Sequence, residues 1–347
     1  TYGAALLKLA STEEDLAVAF RRLDARGRAV GTDWTTVTDG LDAHVALAWT
    51  GDSYGLFFTG QETGIWLVLL DAQGKPIGEP VEVDPDSRSE ALGAAWTGSS
   101  FALVWIVRWS TELPPWGSEP DPEPAFLALV GLDGSISDGG GPVLIDDHAL
   151  RTAGVAAGDE GLGVVTGVNW TLEYHRGARF VWVSHDLTEV VPSGVLGAGG
   201  PGIDVARADE GFVAAFADCE GMPRDHCASP TRWCVASFSA RGELAGPPAC
   251  SVPALLPVHL ANSPQIQVAV DPAGMALLSL TDDDDVIFQR LDRAGVQVGE
   301  PVMLHDAVSM GTGAMGMLWD GGGFAVLYRR ESAGYYQLVF QRLVPEL

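Results

Sequence analysis

Positive charge is what this 347-residue chain lacks most. Lys and Arg together number 20 against 46 Asp and Glu, a net charge of −26, and the only lysines are Lys8 and Lys75. A field of that sign repels phosphate backbones, which excludes nucleic acid as a partner. Long hydrophobic runs are missing too: no apolar stretch approaches the roughly 18 residues of a membrane span. Cysteine is scarce, with four residues confined to Cys219–Cys250, and the short C-x2-4-C pair of a zinc site does not occur among them. There is no HExxH and no P-loop. Nor does any segment carry an apolar stripe of helical period and length. No cofactor and no metal is expected. The one acidic run, Asp282–Asp285, lacks the alternating spacing and turn glycine of a calcium loop and reads as a solvated tip.

What the chain does have is apolar material, 47% of residues, punctuated by 43 Gly and 21 Pro. That composition excludes a disordered acidic tail. The apolar material is periodic. An apolar strand followed by Leu-Asp and Gly reads FRRLDARG at Phe20–Gly27, LVLLDAQG at Leu67–Gly74 and LVGLDG at Leu129–Gly134. It returns as VSHDLTE at Val183–Glu189, ASFSARG at Ala236–Gly242, FQRLDRAG at Phe288–Gly295 and FQRLVPE at Phe340–Glu346. The position after the Leu falls at 24, 71, 133, 186, 239, 292 and 344, a period near fifty residues. A second short segment follows each copy, as in PIGEPVEV at Pro76–Val83 and VQVGEPVML at Val296–Leu304. A hairpin such as VALAWTGDSYGLFF at Val45–Phe58 or GMLWDGGGFAVLY at Gly316–Tyr328 precedes the next copy.

Runs this short, rich in Val, Leu, Phe and Trp and bounded by Gly, Asp and Pro, are strands. Strands apolar almost throughout, such as Trp66–Leu70, suit sheets covered on both faces. Each unit therefore reads as a four-stranded antiparallel meander, strands a to d. The expectation is an all-β, seven-bladed β-propeller in one domain, with blades near 1–40, 41–88, 89–148, 149–200, 201–255, 256–307 and 308–347. By this count the chain has 26 strands, because it starts at a strand b and ends after a strand c. A six-bladed ring with an extra terminal hairpin is the alternative. The phrase LDxxG…vGepv resembles bacterial secreted or lipoprotein-type β-propeller repeats, a resemblance of architecture over the whole chain. The Trp-Asp and kelch di-glycine signatures are absent. The resemblance implies a fold and no single function, since propellers host enzymes, lectins and scaffolds.

The a–b and c–d turns are short and fall at one end of the sheets, with the long b–c and d–a connections at the other. Function is expected on the long connections. Arg108–Ala125, Asn169–Arg179, Asp218–Trp233 and Arg329–Tyr336 carry Trp109, Trp116, Trp170, Tyr174, Trp233, Tyr335 and Tyr336 in or beside them. Aromatic faces beside polar groups suit a sugar ring. His175 and Arg176 join them as ligand-binding candidates, while His175, Arg176, Asp225 and His226 are the loop residues with acid–base potential.

An even number of clustered cysteines points to two disulfides and an oxidising compartment. Cys234 and Cys250 are equidistant from Gly242, so a hairpin turning there sets them opposite one another, leaving Cys219 to pair with Cys227. The competing pairing is Cys219–Cys234 with Cys227–Cys250. The chain opens at Thr1 without a charged, then apolar leader, as a mature exported protein would. The expected function is a non-enzymatic extracytoplasmic binding module for a glycan, peptide or protein on the b–c/d–a face. A hydrolase or lyase at the mouth of the central channel is the alternative.

Overall fold

The computed structural model describes residues 2–9, 16–24, 26, 28, 30, 35–39, 41–60, 64–85, 89–107, 123–137, 141–170, 175–197, 202–218, 232–251, 266–280, 286–305, 315–332 and 335–344. It is an all-β structure of antiparallel blades, and the chain divides into two compact units, 1–157 with 185–189 and 158–184 with 190–347. The first unit holds β1 (Tyr2–Leu9), β2 (Leu16–Leu23), β3 (Thr35–Asp39), β4 (Leu41–Trp49), β5 (Ser53–Gly60), β6 (Ile65–Asp71), β7 (Val81–Asp84), β8 (Ser89–Trp96), β9 (Phe101–Val107), β10 (Glu123–Val130) and β11 (Val143–Ala157). The second holds β12 (Leu162–Trp170), β13 (His175–Val183), β14 (Val190–Gly197), β15 (Ile203–Ala208), β16 (Gly211–Asp218), β17 (Arg232–Ser239) and β18 (Ala249–Ser251). It continues with β19 (Ile266–Asp271), β20 (Gly274–Leu280), β21 (Val286–Asp292), β22 (Val302–His305), β23 (Met315–Trp319), β24 (Phe324–Ser332) and β25 (Tyr335–Leu343).

The propeller architecture stands, with four-stranded meanders in β4–β7, β15–β18 and β19–β22, but the blades number six and not seven. The correction comes from β11. Its 15 residues run without a break through the expected boundary near residue 148, so β8–β14 form one seven-stranded sheet. A strand d and the following strand a have merged, and 25 strands replace the expected 26 among the described residues. No Gly or Pro interrupts Val143–Arg151, which removes the local signal that would end a strand there. The first and last sheets, β1–β3 and β23–β25, have three strands each.

Inner strands are apolar throughout because their alternate residues enter different cores. On β20, Met275 and Leu277 pack with Val213, Val235 and Val268, whereas Ala276 and Leu278 pack with Phe288, Phe324 and Tyr328. On β6, Val68 and Leu70 join Phe20 and Leu56, and Ile65 and Leu67 join Phe57 and Trp105.

The Leu-Asp-x-x-Gly phrase is the c–d turn. Asp71 Oδ1 accepts the N–H groups of Gln73 and Lys75 at 2.8 and 2.9 Å. Asp292 does the same for Ala294 and Val296, both at 2.9 Å. In the copy ASFSARG, Ser239 Oγ takes the N–H groups of Arg241 and Glu243 at 3.3 and 3.1 Å. The repeated carboxylate is thus an internal turn cap. Gly74 and Gly242 have φ of +81° and +78°, and each touches the preceding sheet: a Cβ at Gly74 would lie 2.3 Å from Phe20, and one at Gly242 2.3 Å from Trp182. The Trp182 indole N–H reaches past the same turn to the Ala240 carbonyl at 2.8 Å. The motif therefore braces one sheet against the next.

Candidate functional site

The long-connection residues fare unevenly. Trp109, Trp116, Tyr174, Asp225, His226, Cys219, Cys227 and Asp282–Asp285 lie outside the described residues. Trp170 pairs with His175 and Asn169 with Arg176, so the ladder of β12–β13 extends into the expected loop and leaves only 171–174 between the strands. Likewise Ser332 pairs with Tyr335 and Glu331 with Tyr336, which places both tyrosines on β25. The aromatic Trp170, Tyr335 and Tyr336 favour continued pairing, which shortens these connections. Trp233 is on β17 with its side chain 6% exposed, packed among Ala217, Val235 and Ile266.

The connection 219–231 has a firm base. Asp218 and Arg232 face each other across β16–β17, with Arg232 Nη2 and Nε donating to Asp218 Oδ2 at 2.6 and 2.8 Å. Two residues further along β17, Cys234 is joined to Cys250, whose Cα is 4.1 Å away in register on β18. Asp218, Cys234 and Cys250 also lie close enough to hold a metal ion, but the bonded sulfurs have no thiolate to offer.

At the opposite, tight-turn end of the second unit is a cleft of about 420 Å³, lined by Arg207, Ala208, Asp209, Val270, Asp271, Pro272 and Trp319. It is built from one repeat position sampled three times. Arg207 pairs with Phe212, Val270 with Met275 and Trp319 with Phe324, so Arg207, Val270 and Trp319 are counterparts at the ends of three strands a. In the first unit the counterparts are Trp49 and Trp96, paired with Tyr54 and Phe101. Trp319 leans on Phe324 at a centroid distance of 4.9 Å, and the Arg290 guanidinium sits over the same Phe324 ring at 4.9 Å.

The charges around the cleft are paired. Asp271 Oδ1 caps its own turn by accepting the N–H groups of Ala273 and Gly274 at 2.7 and 2.6 Å, and Oδ2 meets Arg290 Nη1 at 2.7 Å. Asp209 meets Arg293 at 3.2 Å, and Arg207 Nη2 meets Asp159 at 2.6 Å. Arg207 and Asp209 are both well exposed, so these outer pairs contribute little stability.

Asp204, three positions before Arg207, is a polar group the sequence reading missed. Its counterparts are Ala46, Gly93, Gly154, Gln267 and Gly316, and a carboxylate where no other copy has a charge was the available signal. It is partly buried on β15, and its Oδ2 accepts the N–H of Val268 on β19 at 2.8 Å. Burial pushes its carboxyl up to about 7, against the opposing pull of the Val268 and Val205 N–H groups. A folded-state value above the unfolded one means that folding favours the protonated form, so the stabilising contribution is full below the unfolded value and lost as pH rises through about 7. Asp204→Asn keeps an acceptor for Val268 and removes the buried charge. It is expected to add under about 1 kcal/mol at pH 5 and about 2 kcal/mol at pH 8.5, roughly half the full linkage value because the group is partly exposed. Urea unfolding at both pH values checks this, and equal effects at the two would refute the buried titration.

No family model matches the chain, and no curated protein matches it. Among solved structures it is similar to a neuraminidase-like protein from A/little yellow-shouldered bat/Guatemala, at 8% identity over 87% of this chain and 94% of that one, with a TM-score of 0.51. It is also similar to the fucose-specific lectin of Aleuria aurantia, at 8% identity over 87% and 95% of the two chains with a TM-score of 0.48. A structure from work on two prolyl endopeptidases matches at 13% identity and a TM-score of 0.47, over 99% of this chain and 49% of the other, so the chain spans about half the length of that relative. At such identities the likeness is one of fold alone.

Proposed function

We propose that the chain is a non-enzymatic binding module of the bacterial secreted or lipoprotein type, working outside the cytoplasm on a glycan, peptide or protein. The observation that supports binding over catalysis is the pairing at the cleft. Asp209 and Asp271 each meet an arginine, and Asp271 spends its other oxygen on its own turn. A general base needs an oxygen free for the substrate's proton, and Asp271, with one oxygen on Arg290 and the other on its turn, has none to spare, while the exposed Asp209 is left as a hydrogen-bond acceptor. The Cys234–Cys250 disulfide fits an oxidising compartment. Trp109, Trp116, Trp170, Tyr174, His175, Arg176, Tyr335 and Tyr336 stay the proposed contacts at the long-connection end.

The test is to present the purified chain to a glycan array and an immobilised peptide library, then to recover the bound compound. Saturable binding with the compound returned unchanged is expected. Conversion of that compound to product by the pure chain would replace the reading with the hydrolase or lyase alternative.

A further inference from the structure

We infer that the cleft between the ends of β15, β19 and β23 is a ligand subsite of its own, at the tight-turn end of the sheets, and that it takes a neutral pyranose ring. The inference rests on the binding-module reading and names the ligand class. The cleft is at the small end of the range for ligand sites. Its apolar lining is Ala208, Val270, Pro272 and Trp319. Arg207 and Asp209 supply an exposed donor and an exposed acceptor on the facing strand end.

The chemistry narrows by elimination. An anion would enter a cleft containing Asp209 and Asp271 on a chain of net charge −26. A cation would meet Arg207 directly and Arg290 and Arg293 behind the two carboxylates. A wholly apolar ligand would bury the charged rim without compensation. A sugar has what each surface lacks: a C–H face for the indole, and hydroxyls that donate to Asp209 and accept from Arg207, whose guanidinium has donors beyond the one on Asp159. The position is also one that the repeat leaves free to vary. Its counterparts are Ala157, Arg207 and Val270 together with three tryptophans, Trp49, Trp96 and Trp319, each leaning on the aromatic ring five residues on, and only where Trp319 stands beside Arg207 and Asp209 does the indole meet an exposed donor and acceptor.

The experiment titrates the purified chain with methyl glucoside, galactoside, mannoside and fucoside, and repeats the titration with Trp319→Ala, Trp319→Phe, Arg207→Ala and Trp49→Ala, each checked by circular dichroism for an unaltered strand spectrum. At least one glycoside is expected to bind. Trp319→Ala and Arg207→Ala are expected to weaken it about tenfold or more, Trp319→Phe to retain most of the affinity, and Trp49→Ala to change nothing. Glycoside binding that ignores Trp319 and Arg207 would overturn the subsite and leave the binding module standing. So would a failure of all four glycosides to bind while the peptide library gives a ligand. Conversion of the glycoside to product would overturn the module reading itself.

Discussion

Gly242→Ala is expected to lower the stability of the protein by about 4 kcal/mol, a large fraction of what a domain of ordinary stability has to lose. Two separate costs meet at this residue. Its φ of +78° is left-handed, which charges an alanine about 1–2 kcal/mol. The new methyl group would also stand 2.3 Å from Trp182 Cβ, a contact the backbone or the indole must relieve, with an overpacking cost of about 1–3 kcal/mol. Trp182 has little freedom to retreat, because its ring N–H is fastened to the Ala240 carbonyl at 2.8 Å. Gly246 is the control: it lies four residues on, with nothing within 4 Å of an added Cβ, and Gly246→Ala is expected to change stability by less than about 0.5 kcal/mol. The measurement is the urea midpoint of each variant with the slope held constant. Indistinguishable midpoints for the two variants would show that the turn does not bear on the neighbouring sheet.

The same turn shows what could be read from the sequence. The Leu-Asp-x-x-Gly phrase repeats because a backbone geometry repeats, and geometry of that kind leaves a residue signature: a side-chain oxygen to cap two N–H groups, then a glycine for positive φ. Strand content and the meander followed from it. The blade number did not, because β11 joins two meanders through Val143–Arg151, where no Gly or Pro marks a boundary and Asp146 pairs with Ala125 instead of turning. Trp233 shows a different limit. Position in a sequence beside a long connection does not tell which side of a strand a ring occupies, and on β17 it is the core side. The cleft was invisible for a third reason. Arg207, Val270 and Trp319 are more than a hundred residues apart end to end, each in an unremarkable turn, and only stacking of the sheets brings them to one opening. Aligning the copies on their a–b hairpins would have exposed both this variable position and Asp204.

Replacing Cys234 and Cys250 together by alanine is expected to cost about 3 kcal/mol, the chain-entropy value for a cross-link of sequence separation 16. The structural reason is the shortness of β18. It has three residues, Ala249–Ser251, and forms the outer strand of its sheet, so few backbone bonds hold it. Trp233↔Ser251 and Val235↔Ala249 flank the bonded pair, and the disulfide stands in for the ladder that a longer strand would supply. Cys234 is 1% exposed, so alanine at that position also leaves a small void, and the observed loss should if anything exceed the entropic figure. Amide exchange should localise the effect. Protection at Ala249–Ser251 is expected to fall first in the double variant, with the β19–β22 sheet retaining its protection until global unfolding. Non-reducing peptide mapping supplies the independent check. A peptide joining Cys234 to Cys250 is required, whereas one joining Cys219 to Cys234 would refute the register of β17 against β18 and with it the fastened base of the 219–231 connection.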